Sequence, residues 1–192
     1  AFVMNANGER REVRTVVVAA AESEILEHVR NLGHETRFAA TLEQAASRIA
    51  SFEPDLVVID LDEADAPATI EWLGMRATAR TPAYVVVGGR VSAEDGFRLG
   101  QLGVRSFVSK PLRPAALELA LRAAIDEPPD FTPHIRAAVG FMPIHEIERM
   151  TRRTMMQEAL VRARGSKTGA ARVLRVSRQL LQHMMKGQKR LS

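Results

Sequence analysis

Residues 55–60 read Asp-Leu-Val-Val-Ile-Asp, a run of aliphatic and β-branched residues between two carboxylates. Comparable apolar runs occur at residues 15–20 and 83–87, and residues 104–109 are predicted to be the last strand. Continuous Val/Ile-rich runs of this length are typical of strands that are buried on both faces of a parallel sheet. Stretches with helical periodicity separate the runs, so the sequence predicts an α/β fold with a helix-covered parallel sheet.

The remaining elements follow from periodicity and from start and stop signals. A short strand is predicted at residues 35–38, and residues 1–12 are predicted to be a loose tail. Thr41 and Gln44 have the spacing of a capping box, which fixes a helix start. The five strand–helix units predict a flavodoxin-like (βα)5 unit over residues 13–125, with its functional crevice at the carboxyl ends of the first and third strands. The predicted helices cover residues 22–32, 41–51, 67–79, 92–102 and 114–125.

Asp60 ends the third of these strands, Lys110 and Pro111 follow the fifth, and Phe107 lies within the fifth. With these residues the segment resembles the receiver domain of two-component response regulators. In that family the aspartate accepts a phosphoryl group and the lysine contacts the phosphoryl oxygens. A Mg²⁺ ion sits between the aspartate and an acidic pair after the first strand. The resemblance implies that Asp60 and Lys110 are a vestigial phosphoacceptor site.

Two features depart from the receiver pattern. Residues 19–21 are all Ala where the acidic pair belongs, and Gly88 stands where the family has a Ser or Thr that responds to phosphorylation. Mg²⁺ is usually bound through one or two carboxylates besides phosphate oxygens and water, and Asp60 alone supplies one. Glu22 more naturally lies in the first turn of the following helix, where the helix dipole favours it. We therefore expect a degenerate, non-phosphorylated receiver-like unit in which Lys110 pairs with Asp60.

A second informative stretch lies near the end of the chain. Residues 165–179 read Gly-Ser-Lys-Thr-Gly-Ala-Ala-Arg-Val-Leu-Arg-Val-Ser-Arg-Gln, and together with residues 180–186 they have the pattern of two short helices around a corner. Lys167 or Thr168 opens the first helix. Ser177 caps the second, because its hydroxyl can accept a hydrogen bond from a first-turn backbone N–H. The outward face of the second helix carries long hydrogen-bonding side chains: Arg178, Gln179, Gln182, His183 and Lys186.

This pattern is similar to the Fis-type helix-turn-helix that closes many bacterial two-component regulators. The residues that match the family are Gly165, Lys167, Thr168, Ala170, Ala171, Leu174, Ser177, Arg178 and Leu181. The sequence departs at Arg175, which replaces a turn glycine, at Gln182, which replaces an aromatic residue, and at Met184, which replaces a basic residue. A positive φ at Arg175 would carry a strain that glycine avoids. The resemblance implies a DNA-binding surface formed by Lys167, Thr168, Arg172, Ser177, Arg178, Gln179, Gln182, His183 and Lys186.

Charge is divided unevenly along the chain. Residues 149–192 contain twelve Lys or Arg residues and one acidic residue, Glu158, although the whole chain has a net charge of only +4. A basic terminal module is typical of proteins that bind the phosphate backbone of double-stranded DNA. Membrane-binding basic helices carry bulky apolar residues opposite the charge, whereas this face is Ala, Val and Leu, so no membrane partner is expected. The alternative is an ordinary helical hairpin with a solvated basic face.

Residues 126–140 are predicted to be a proline-stiffened linker, and residues 141–192 a Fis-type dimerisation and DNA-binding domain. The linker is too short for an ATPase module. A long helix is predicted over residues 143–164, and its Fis-type counterpart pairs with a second copy, so the resemblance implies a homodimer. The alternative is that its apolar side packs only on residues 170–185. The imperfect apolar stripe of this helix consists of Ile144, Ile147, Met150, Met155 and Leu160.

Composition limits the classes of protein that remain. The chain has no Cys, which excludes disulfides and thiolate metal sites and fits the bacterial cytoplasm. No apolar run approaches the length of a membrane span, and no nucleophile–base pair or metal cluster stands out, so neither an enzyme nor a cofactor is expected. The sequence predicts a dimeric, sequence-specific transcriptional regulator, associated with the nucleoid when it is bound to DNA. Two alternatives stay open: a phosphorylation-driven response regulator, and an adaptor whose receiver-like unit docks a protein or a small ligand.

Overall fold

A parallel sheet lies at the centre of the first of two compact units. The first unit ends at Pro129 and the second runs from Asp130. The computed structural model describes residues 2–4, 10–21, 23–75 and 82–189. In chain order, the strands are β1 (Phe2–Met4), β2 (Arg10–Glu12), β3 (Arg14–Val18), β4 (Glu35–Ala39), β5 (Leu56–Asp60), β6 (Ala83–Gly88) and β7 (Val104–Ser109). The sheet has the order β4-β3-β5-β6-β7 with parallel neighbours, which confirms the predicted flavodoxin-like arrangement.

Helices cover both faces of this sheet. In chain order they are α1 (Glu24–Asn31), α2 (Leu42–Phe52), α3 (Leu61–Ala64), α4 (Ala66–Gly74), α5 (Ala93–Gln101) and α6 (Pro114–Asp126). Every residue of β5 is buried. Val57 and Ile59 face a core built with α2, α3, α4 and α5, whereas Leu56 and Val58 face a core built with α1 and α6. The continuous apolar run therefore supplies both cores, because successive strand side chains point to opposite faces.

Helix capping follows the predicted chemistry, but the structure has one short helix that was not predicted. The Thr41 hydroxyl accepts the Gln44 backbone N–H at 3.3 Å, as the capping-box spacing predicted. The helix predicted over residues 67–79 corresponds to α4, and the short α3, which was not predicted, precedes it. Residues 76–79 lie outside the described residues. Asp65 separates α3 from α4 with a positive φ of 63°. The sequence prediction missed α3 because a four-residue helix has no measurable periodicity.

The prediction of a loose tail before residue 13 is wrong for its described part. β1 and β2 pair antiparallel as a two-stranded ribbon. The Arg11 guanidinium donates to both Asp55 carboxylate oxygens, at 2.6 and 2.8 Å. Asp55 also accepts the Arg14 backbone N–H at 3.0 Å, so one carboxylate ties the ribbon to the sheet. The partner of Arg11 lies more than forty residues away, and local sequence pattern carries no signal for such a bond.

The second unit carries four helices among its described residues: α7 (Thr132–Ala138), α8 (Ile144–Arg162), α9 (Lys167–Val173) and α10 (Arg178–Lys189). Residues 126–140 are therefore not a plain linker, since α6 extends to Asp126 and α7 occupies half of the segment. Pro143 precedes α8 as its N-cap rather than lying inside the first turn. No described helix of the chain is long and apolar enough to cross a membrane.

A small core holds α8, α9 and α10 together. Its buried residues are Met156, Ala159, Ala170, Ala171 and Leu181. The alanines remove bulk where helices meet, which lets α8 and α9 approach closely. α9 begins at Lys167, one of the two predicted starts, and Ser166 caps it, because its hydroxyl accepts the Gly169 N–H at 3.2 Å. The corner between α9 and α10 places Arg175 at a φ of 54°, a left-handed conformation that costs a non-glycine residue roughly 1–2 kcal/mol.

Candidate functional site

The carboxyl edge of the sheet carries a compact group of charges. Asp60 is the last residue of β5, and its side chain is 6% exposed. Lys110 follows β7, and its ammonium donates to both Asp60 oxygens, at 2.8 and 2.9 Å. Asp60 Oδ1 also accepts the Asp62 backbone N–H at 3.1 Å, so the same carboxylate caps α3. The ion pair expected between Lys110 and Asp60 is present, and it is largely shielded from water on the aspartate side.

Sequence reasoning missed a third member of this group, Asp62. Its Oδ2 lies 2.9 Å from Lys110 Nζ. Its two oxygens accept the Gly89 backbone N–H at 3.1 and 3.3 Å. The bond from Lys110 and, after it, the bond from Gly89 lower the pKa of Asp62 below its ordinary value. Burial lowers the pKa of Lys110, but the bonds to Asp60 and Asp62 outweigh burial and raise it, so the Lys110 ammonium is charged near neutral pH.

The carboxylate oxygens at this edge of the sheet are not arranged to bind a Mg²⁺ ion. Both oxygens of Asp60 are bonded to Lys110, and those of Asp62 are shared between Lys110 and Gly89. The three alanines at residues 19–21 add no ligand, and Glu22 lies outside the described residues. Within the described part of the chain, no group of three or more His, Asp or Glu side chains is placed to hold a metal ion. In this structure the Lys110 ammonium is the positive charge that neutralises these two carboxylates.

An open pocket of about 250 Å³ lies beside Asp60. Ala20 and Ile25 line one side of it, and Ser23, Glu24 and Glu63 line the rest together with Asp60 and Lys110. The pocket thus borders Ala20, one of the three alanines that stand where the receiver family has its acidic pair. Its walls carry three carboxylates and one ammonium, which makes it unfavourable for an anion that enters from this side.

Packing explains the glycine where a hydroxyl residue was expected by resemblance. A Cβ atom at Gly88 would lie 3.2 Å from Leu61 Cβ and 3.2 Å from Val91 Cγ2. Contacts this short require a neighbour to move, so Ser or Thr fits here only with a shift of Leu61 or Val91. Gly88 follows from the close approach of α3 to β6.

On α10, one side is anchored in the core and the other is exposed. Leu181 is fully buried, and the Ser177 hydroxyl accepts the Leu180 N–H at 3.1 Å, which fixes the first turn. The surface predicted to contact DNA is exposed at every position except Gln182, which is half-buried; its members are Lys167, Thr168, Arg172, Ser177, Arg178, Gln179, Gln182, His183 and Lys186. α9, α10 and the turn between them thus expose most of the side chains that were predicted to contact DNA.

The predicted apolar stripe of α8 is only partly correct. Ile144, Met150 and Met155 are 75%, 53% and 55% exposed, and Ile147 is half-buried. Leu160 instead packs against the core shared with α9 and α10, about 140° around the helix from Ile147 at roughly 100° per residue. Val161, 44% exposed, continues the stripe in its place. The sequence missed Val161 because the apolar positions of α8 fit two faces equally well.

Comparisons with solved structures identify the fold of the first unit. A CheY-like receiver domain from Methanospirillum hungatei JF-1 matches with a TM-score of 0.51 at 19% identity, over 61% of this chain and 96% of that one. A receiver domain from Bermanella marisrubri gives 0.53 at 19% identity, over 60% and 100%. The chemotaxis response regulator CheY4 of Vibrio cholerae gives 0.51 at 16% identity, over 59% and 99%. The chain therefore contains a receiver-type α/β fold. No protein-family model matches the chain, and no curated protein matches it.

Proposed function

We propose that this protein is a dimeric, sequence-specific DNA-binding transcriptional regulator of bacterial two-component type, whose receiver-like unit acts without phosphorylation. The observation that carries the proposal is α10, which buries Leu181 and exposes Arg178, Gln179 and His183 from its first turns. These side chains belong to a segment with twelve basic residues and one acidic residue. A buried anchor on one face and long donors on the other are what a helix needs to enter a major groove.

Within this proposal, the nine residues of the exposed surface divide into two kinds of contact. Arg178 and Gln179 project from the first turn of α10, which is fixed by Ser177. Arginine suits the O6 and N7 atoms of guanine, and glutamine suits the N6 and N7 atoms of adenine. Lys167 and Arg172 lie on α9 and supply charge to phosphates, which orients the protein without selecting a sequence.

Dimerisation is the second part of the proposal, and α8 supports it. Exposed apolar side chains follow one side of this helix, while Met156 and Ala159 on the other side pack on α9 and α10. Exposed apolar stripes of this kind mark protein–protein contacts. A second copy of α8 supplies a matching stripe, and two DNA-reading helices then meet two half-sites.

The receiver-like unit is proposed to signal through something other than phosphate. Asp60 is held by Lys110, and the residues at this edge do not fit Mg²⁺. Without a metal, phosphoryl transfer loses the charge that stabilises its transition state. Regulation would then reach the protein through a partner or small ligand on the receiver surface, or through dimerisation itself.

The DNA-reading role is tested by Arg178→Ala and Arg178→Lys, measured by fluorescence anisotropy on selected and on random duplexes. Arg178→Ala should weaken binding to the selected site by roughly 1–3 kcal/mol and binding to random DNA much less. Arg178→Lys keeps the charge but loses the two-pronged hydrogen bond, so it should show most of the same loss of discrimination. An equal loss on both duplexes would identify Arg178 as a phosphate contact. Absence of salt-dependent DNA binding would favour the adaptor alternative.

Phosphorylation independence is tested with beryllofluoride and Mg²⁺, which together mimic an aspartyl phosphate. DNA affinity and dimerisation should be unchanged, and Asp60→Asn should retain DNA binding. A Mg²⁺-dependent change in affinity of about tenfold or more would correspond to at least about 1.4 kcal/mol and would support the phosphorylation-driven alternative.

A further inference from the structure

The carboxylate of Asp62 occupies a site with the donor set of an oxyanion-binding site. One donor is the Lys110 ammonium at 2.9 Å, and the other is the Gly89 backbone N–H at 3.1 Å. An ammonium together with a main-chain N–H forms charge-assisted hydrogen bonds with carboxylate or phosphate oxygens. Asp62 is one-third exposed at its side chain, so the site opens to solvent.

We propose that Asp62 is a tethered oxyanion that fills this site and holds the edge of the sheet permanently in its anion-bound arrangement. We call the pair of donors, Lys110 Nζ and the Gly89 N–H, the anion seat. This inference rests on the proposed phosphorylation independence of the receiver-like unit and identifies the residue responsible for it.

Local structure explains why Asp62 reaches the seat. The Asp60 side chain accepts the Asp62 N–H and starts α3 immediately after β5, which turns residue 62 back over the carboxyl edge. Gly89 follows β6 and Lys110 follows β7, so one carboxylate joins the loops after three neighbouring strands. Gly89 has no side chain to shield its N–H, although a Cβ atom there would meet only ordinary contacts, at 3.5 Å from Lys110 and 3.6 Å from Asp62.

Tethering decides the competition between Asp62 and a free anion. A group on a short tether acts at an effective concentration on the order of millimolar or higher, so a weakly binding free anion cannot displace it readily. The Asp62 charge also repels any second anion that approaches Lys110, at less than 4 Å from the seat. Removing the Asp62 carboxylate should therefore convert the seat from closed to open for small oxyanions.

The test uses the full chain with Asp62→Ala, titrated with sodium acetate and with inorganic phosphate against sodium chloride of equal ionic strength. The readout is the Gly89 amide resonance in a two-dimensional NMR spectrum, together with the thermal midpoint of the first unit. In the variant, acetate and phosphate should shift this resonance saturably and raise the midpoint. Their apparent dissociation constants should be at least about tenfold lower than in the unsubstituted protein.

Two further variants keep the result interpretable. Glu63→Ala removes the neighbouring carboxylate, which lines the adjacent pocket and, among the described contacts, does not bond to the anion seat. Its response to acetate and phosphate should equal that of the unsubstituted protein. Asp62→Ser retains a small polar side chain in α3 and should open the seat as Asp62→Ala does, so the test does not depend on one variant folding. An anion response that is equal in all four proteins, or absent from both Asp62 variants, would overturn the proposal. The measurement needs no DNA, so it is independent of whether α10 reads a DNA sequence.

Discussion

Removing Lys110 should destabilise the first unit more than removing the charge of Asp60. In Lys110→Met, the Asp60 carboxylate stays only 6% exposed and loses both bonds from the ammonium. Among the described residues, the hydrogen bond that it keeps is the one from the Asp62 N–H. Removing one partner of a buried ion pair typically costs about 3–5 kcal/mol. Because Asp60 keeps this N–H and lies at the edge of the sheet, we expect about 3 kcal/mol.

Asp60→Asn should lower the free energy of unfolding by less, about 1 kcal/mol, because the Lys110 ammonium that remains still has a carboxylate partner. Lys110 keeps Asp62 at 2.9 Å, and its side chain is 27% exposed. The Asn carbonyl oxygen can still accept the Asp62 N–H that starts α3. What is lost is one of the two bonds from Lys110, because the Asn amide nitrogen cannot accept it, together with the charge assistance of the bonds to the remaining oxygen.

Urea denaturation at pH 7 measures both costs, followed by fluorescence of Trp72. Trp72 is the single tryptophan of the chain and packs edge-on against Tyr84 in the core of the first unit, so it reports on that unit. The double variant should cost less than the sum of the two single variants, because removing both charges strands neither. This asymmetry would be refuted if Lys110→Met lowered the free energy of unfolding by no more than Asp60→Asn does. It would also be refuted if the double variant showed the sum of the two single losses.

Two other outcomes follow from the structure. Ile147→Glu places a charge on the exposed stripe of α8 and should weaken self-association about a hundredfold in analytical ultracentrifugation, whereas Arg153→Glu, outside that stripe, should not. Burial lowers the pKa of His34 from 6.5 to about 4, and Thr15 holds its ring at 2.8 Å. Since the folded state binds this proton less readily than the unfolded chain, stability should be full above pH 6.5 and fall by up to about 3 kcal/mol toward pH 4. His34→Gln should flatten this dependence and His28→Gln should leave it, and an unchanged pH profile in His34→Gln would contradict the assignment.

The inner strands β3, β5 and β6 were predictable because burial on both faces leaves a direct trace in the sequence. The run at 55–60 has no polar residue between its two aspartates, as is typical of the buried strands of parallel sheets. Caps were predictable for a similar reason, since Thr41 and Ser177 act on N–H groups within three residues. In each case the deciding interaction is local, or repeats along one element.

The missed features depend on contacts that are distant in sequence. Asp62 bonds to Gly89 and Lys110, which lie 27 and 48 positions away, so its role is visible only when three loops are brought to one edge. Leu160 was assigned to the wrong side of α8 because the position of the α9–α10 core around that helix cannot be read from periodicity alone. The corner between α9 and α10 was predicted in part. The sequence identified Arg175 as the unusual residue, and its positive φ shows that the corner forms without the glycine.

Asp60 and Lys110 look like the remains of a phosphoacceptor site, yet their presence has a sufficient explanation in stability. Each neutralises the other at the edge of the sheet, and the loss of Lys110 leaves the largely buried Asp60 carboxylate without its ammonium partner. Asp62 separates the two explanations. A phosphoryl group on Asp60 would replace its single negative charge by nearly two, beside a carboxylate that already holds Lys110 and the Gly89 N–H. We therefore expect the acid at residue 62 to oppose phosphorylation of Asp60, in line with the proposed function, and the pairing of Asp60 with Lys110 is explained by stability alone.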